Sequence, residues 1–97
     1  MVHCRLQPGQ VTKAVRHGTV EEMWHCVGGS GRLWRSFNGI SEEIEIRSGV
    51  SCSIPTGACF QFRSDGASPL DLVIATMPPW PGEDEAEPCN GPWDASL

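Results

Sequence analysis

Two windows constrain this chain more than anything else in it. The first is HGTVEEMWHCVGG, in which four residues separate His17 from Glu22 and six separate Glu22 from Gly29. The second is GVSCSIPTGACF, in which five residues separate Gly49 from Pro55 and one separates Pro55 from Gly57. Each window reads as a strand that ends in a glycine-rich turn, and such a pair predicts two neighbouring walls of one small β-barrel. Interior and exterior side chains alternate along every barrel strand. The spacing therefore also predicts which residues look inward.

The rest of the chain has the same texture. Its 97 residues suffice for one domain and a modest core. Strands arrive every 8–12 residues or so, punctuated by turn signals at Pro8-Gly9, at the glycines 28–31, at Asn38-Gly39 and at Pro55-Thr56-Gly57. Short runs lie between them, which favours an all-β architecture. Glu22–Val27 predicts a strand with Glu22, Trp24 and Cys26 on one face and Met23, His25 and Val27 on the other. Strands are also expected over Val11–Arg16, Arg32–Phe37, Glu43–Arg47, Val50–Ile54, Ala58–Arg63 and Leu70–Thr76. Asn38-Gly39 predicts a tight hairpin. From Met77 onward the prolines argue against a strand and the lack of periodicity argues against a helix. This tail, 77–97, is expected to be irregular, with Trp80 and Trp93 pinning it to a barrel formed by residues 1–76.

Charge and cysteine usage narrow the function classes. Up to Arg63 the chain carries seven basic and five acidic residues; after it come seven acidic residues and no basic one. Phosphate neutralisation needs a basic surface, so nucleic acid is not an expected partner. The GEDEAE run predicts a solvated loop that repels anions if it lies near a pocket mouth. No apolar run approaches the length of a membrane span and no charged-then-apolar leader opens the chain. Five cysteines without a C-x-x-C pair predict reduced thiols serving as small hydrophobes. These features together lead to the expectation of a cytoplasmic protein with no membrane partner. The Gly28-Gly29-Ser30-Gly31 turn lacks the Lys-Ser/Thr and the following helix that a phosphate loop requires.

In frame, the two windows resemble the motifs of the RmlC-like cupin superfamily, G-x5-H-x-H-x3,4-E-x6-G and G-x5-P-x-G-x2-H-x3-N. Gly9-x5-Val15-x-His17-x4-Glu22-x6-Gly29 matches the first, and Gly49-x5-Pro55-x-Gly57-x2-Phe60 matches the second. The segments TMPPWPGEDEAEP, RHGTVEEMW and FQFR extend the likeness towards small single-domain cupins. The resemblance implies a single domain over 1–97, folded as a jelly-roll-like barrel (a double-stranded β-helix). It also implies a homodimer.

Cupins that hold a metal use two histidines and the glutamate of the first motif and the histidine of the second. Those positions here are Val15, His17, Glu22 and Phe60, so two of the four ligands are hydrocarbon. A catalytic divalent ion ordinarily takes three or more protein ligands. No cofactor is therefore expected, and a metal, if held at all, would rest on His17 and Glu22, with His3 or Cys4 as conceivable additions.

What remains is a polar pair, His17 and Glu22, in a pocket walled by Val15, Trp24, Trp34, Phe60 and Phe62. The pair suits orientation of a small apolar or aromatic ligand, and this is the leading expectation. The same pair would serve as the acid/base couple of a small enzyme, either metal-free and isomerase-like or a reduced form of a metal-dependent oxygenase or isomerase. A third expectation is a structural or accessory homodimer whose pocket is vestigial.

Overall fold

The structure is a computed structural model that describes residues 1–97, the side chain of Glu83 excepted. Strands β1 (Val2–Leu6), β2 (Val15–His17), β3 (Glu21–Gly28), β4 (Ser30–Phe37) and β5 (Ile40–Arg47) occupy the first half. β6 (Ser51–Ile54), β7 (Cys59–Ser64), β8 (Leu70–Met77), a 3-10 turn over Glu83–Glu85 and β9 (Ala86–Pro88) complete it. They form two antiparallel sheets, ordered β1-β8-β3-β6 and β5-β4-β7-β2-β9. The all-β, barrel-like architecture expected from the turn spacing is the one observed.

Alternation decides what lies between the sheets. Glu22, Trp24 and Cys26 are the buried half of β3, while Met23 and Val27 are exposed. Directly opposed residues share a face, so Trp24 brings Ile74 and Cys52 inward with it, and Leu33 brings Phe62 and Ile44. Trp24 is 1% exposed and meets Phe60 and Phe62 edge-on, at ring separations of 5.6 and 4.7 Å. Such pairs add to the stabilisation from area burial alone.

Gly9, Gly29, Gly49 and Gly57, the glycines of the two motifs, all take positive φ. Gly29 shows why one of them is obligatory. Its φ is +76°, and a Cβ there would lie 2.1 Å from the carbonyl oxygen of Pro69. Only glycine turns β3 into β4 with the 69–70 backbone so near. At the far end of β4, Asn38 (φ 52°) and Gly39 (φ 78°) form the primed turn that matches strand twist.

Four expectations need correction. Val11–Arg16 is not one strand: Val11 makes an isolated bridge with Arg63, and β2 begins at Val15. The segment after residue 76 is not wholly irregular. β8 runs to Met77, and β9 pairs with β2 through Val15↔Pro88, Arg16↔Glu87 and His17↔Ala86. Proline is tolerated because β9 is a sheet edge, where one amide is not needed for the ladder.

The reduced-thiol expectation fails for two cysteines. With β2 between them, β7 and β9 bring Cys59 and Cys89 together, and the two form a disulfide. Disulfides persist mainly in oxidising compartments, so cysteine usage no longer favours the cytoplasm. Cys4, Cys26 and Cys52 remain free, and burial pushes all three thiols up from their ordinary value. Cys26 is the small buried hydrophobe expected, and Cys4 and Cys52 are half-buried against the core.

The fourth correction concerns Trp34. Gly31 and Leu33 are the buried residues of β4, which places Trp34 on the outer face opposite Gln61 and Glu43. It does not look into the barrel. That outer face is itself covered near Gln61, whose amide nitrogen donates to the carbonyls of Thr12 and Trp93 while its oxygen accepts from Trp93 N–H. Trp93 also lies under the Arg63 guanidinium, 4.4 Å from ring centre to Cζ. So Trp93 does pin the tail, as expected, and Gln61 is 1% exposed because of it.

Candidate functional site

His17 closes β2, and Glu22 is the second residue of β3. Between them the chain reverses through Gly18-Thr19-Val20. Three connections hold this reversal. The Gly57 amide, in the Pro55–Ala58 turn, donates to the His17 carbonyl at 3.0 Å, tying the second motif to the first. The Gly18 amide donates to the Glu85 carbonyl at 3.1 Å. The Glu85 carboxylate accepts from the Thr19 amide at 2.6 and 3.0 Å and from the Thr19 hydroxyl.

These bonds from Thr19 hold the Glu85 carboxyl below the usual range; burial opposes them, and the Val20 amide and the charge of His17 act with them. A lowered folded value contributes stability above the ordinary glutamate value of 4.5, and that contribution is lost as pH falls through the lowered one. Melting temperature should therefore fall on acidification below about pH 4.5 less steeply for Glu85→Gln than for the native chain. Identical slopes would remove Glu85 from the account.

His17 and Glu22 are both buried, at 5% and 7% exposure. Glu22 Oε1 accepts from the Trp24 indole N–H at 2.9 Å. Glu22 Oε2 faces His17 Nδ1 at 3.9 Å, too far for a hydrogen bond. Nδ1 has no other partner. A buried polar atom without a partner is uncommon, and Ser64 Oγ is the other one among the described residues. The imidazole is gripped edge-on by Phe60 at 5.1 Å and Trp80 at 5.0 Å.

Beside Glu22 opens a cavity of about 300 Å3, lined by Met1, Val2, Glu22, Ile74, Thr76 and Trp80. Val2, Ile74 and Thr76 stand in the inward rows of β1 and β8, in register with Trp24 and Glu22. Trp80 is 46% exposed and stands at the mouth.

Of the residues expected around the site, the structure brings His17, Glu22, Trp24 and Phe60 into one chain of contacts. Phe62 continues it behind Trp24, and Val15 packs on the core opposite Phe60. Only Glu22 among them lines the cavity. Sequence reasoning missed Val2 on β1, and Ile74 and Thr76 on β8, where a continuous apolar run concealed the inward parity. It assigned Trp80 to the tail and not to the mouth.

The residues at the metal-ligand positions do not fit a divalent ion. Val15 and Phe60 offer no donor, and the Phe60 ring fills the space against His17. One oxygen of Glu22 is already engaged by Trp24, and no third His, Cys, Asp or Glu stands with the pair among the described residues.

No protein-family model and no curated protein sequence matches the chain. Solved structures do. The Drosophila melanogaster CENP-C cupin domain superposes with a TM-score of 0.72 at 13% identity, covering 77% of this chain and 58% of that one. The capsular polysaccharide assembling protein CapF from Staphylococcus aureus gives a TM-score of 0.77 at 16% identity, covering 88% of this chain and 26% of that one. Oxalate decarboxylase from Bacillus subtilis gives 0.68 at 19% identity, covering 74% of this chain and 19% of that one. The chain thus spans less than two thirds of the length of each of these proteins. Among them are an enzyme and a domain crystallised bound to the protein CAL1. What they share with this chain is architecture: it has the cupin fold.

Proposed function

We propose that this chain is a small-molecule-binding cupin domain, with the cavity beside Glu22 as its pocket and His17 and Glu22 as the polar pair that orients the ligand. The observation that carries the reading is the buried His17 Nδ1, which has no partner and faces a carboxylate oxygen 3.9 Å away. Apolar walls with a few convergent polar groups are the usual make-up of a ligand pocket, and about 300 Å3 is at the small end of their range. The ligand is therefore small and largely apolar or aromatic. Calorimetry on a ligand found by thermal-shift screening tests this. Glu22→Gln should weaken binding about tenfold or more, the loss of one charge-assisted hydrogen bond. Unchanged affinity would take Glu22 out of the site.

A second reading is favoured by the same pair. A carboxylate and an imidazole facing each other across an open gap form an acid/base couple, one taking a substrate proton while the other returns one. Metal-free, isomerase-like chemistry is the form this takes here, since the ligand positions do not suit an ion.

The chain is further proposed to pair with a second copy. Met23 and Val27 on the outer row of β3 are about half exposed, and an apolar sheet face of this kind suits a homodimer. Light scattering should give twice the 10.5 kDa chain mass; the single mass at micromolar concentration would dismiss it. The acidic second half makes nucleic acid an unsuitable partner. No helix is long and apolar enough to cross a membrane.

A further inference from the structure

The groups around the cavity are unequal in charge, and this asymmetry says more about the ligand than size does. Among the described residues Glu22 is the one charged side chain of the cavity wall, and the α-ammonium of Met1, which also lines it, makes no ion pair with Glu22. Among the described residues no Lys or Arg forms an ion pair with it. A carboxylate buried without a cation is costly. Its one strong donor is the neutral Trp24 indole, and the facing atom, His17 Nδ1, makes no bond to it.

Thr76 adds a hydroxyl that can accept, and Trp80 adds an indole at the mouth. The face of an indole attracts a cation. The segment that carries Trp80 belongs to the half of the chain that has no basic residue after Arg63. An anion entering here would meet a desolvated carboxylate that no described Lys or Arg pairs with.

We infer that the pocket is selective for small organic ammonium ions: an apolar or aromatic group against Val2 and Ile74, with its protonated amine on the Glu22 carboxylate. This rests on the small-molecule-binding reading and gives it a ligand class. An ammonium group brings three donors and a positive charge, so it both hydrogen-bonds and neutralises the Glu22 carboxylate.

Three isosteric probes at neutral pH separate the possibilities: benzylamine as the cation, benzyl alcohol as the neutral form and benzoate as the anion. Titration calorimetry on the full chain should show benzylamine binding at least tenfold tighter than benzyl alcohol, and benzoate not binding. Glu22→Gln should erase the gap between amine and alcohol, because the amine loses its counter-charge and so loses more affinity than the alcohol does. Should Glu22→Gln not fold, Trp80→Leu serves in its place: it keeps the apolar wall and removes the indole face. It should weaken the amine several-fold more than the alcohol.

Equal affinity for amine and alcohol, tighter binding of benzoate, or a gap that survives the substitution would overturn the cation assignment and leave the pocket itself standing. No binding by any of the three, at concentrations up to the millimolar range, would overturn the pocket and the cation assignment together.

Discussion

Trp24→Ala should remove about 3–5 kcal/mol of folding stability, the range for deleting a buried aromatic from a packed core. Trp24 is almost wholly enclosed, and its ring is the surface on which Phe60 and Phe62 both rest. Truncation leaves a void that those two rings, anchored on β7, cannot close by rotation. It also deprives Glu22 of its indole donor. A domain of this size has roughly 5–15 kcal/mol in total, so the alanine variant approaches unfolding at ambient temperature. Trp24→Phe separates the two contributions: most of the packing survives and the lost hydrogen bond alone costs about 1–3 kcal/mol. Urea titration followed by far-ultraviolet circular dichroism measures both. A cost below about 1 kcal/mol for the alanine variant would contradict the central place given to this ring.

The second large effect belongs to the disulfide. Cys59 and Cys89 are 30 residues apart in the chain, and the entropy of closing a loop of that length is worth about 3–4 kcal/mol to the folded state. Replacing both by serine should lower the melting temperature by roughly 15–25 °C, given about 4–8 °C per kcal/mol for a domain this small. Reductant should bring the native chain down by a similar amount and leave the double-serine variant where it is. A native melting temperature indifferent to reductant would mean that the tail is held by other contacts alone. The effect reaches the candidate site, because the tethered segment also carries Glu85, which fixes the Thr19 turn, and Trp80, which abuts His17.

How much of this the chain discloses in its letters depends on whether a feature is local. The motif glycines are legible because left-handed backbone has few takers, and all four take it. The inward face of β3 is legible because alternation between polar and apolar residues is clear there. From those two facts follow the fold and the burial of the His17–Glu22 pair. Trp34 misleads for a related reason: its strand has no clean alternation, and parity is set by Gly31 and Leu33 against β7, a partner thirty residues away. β9 escaped notice because proline was counted against a strand, whereas at a sheet edge it costs little. The Cys59–Cys89 bond is a consequence of that same unforeseen pairing. Trp80 reaches the cavity mouth through the path of an irregular segment, which no periodicity describes.

The pairing of β9 with β2 also bears on what the domain does to its neighbours in solution. β2 is three residues long and, without β9, would present a row of free amides and carbonyls at the rim of the five-stranded sheet. Such a rim is a template for a strand from another molecule. The opposite rim, β5, is guarded differently, by Glu42, Glu43, Glu45 and Arg47 along its length. One border is thus sealed by the chain's own terminus and the other is defended by charge. A version of the domain cut back to the end of β8 would bare the β2 rim and lose the Cys59–Cys89 bond together, and should both melt lower and aggregate more readily.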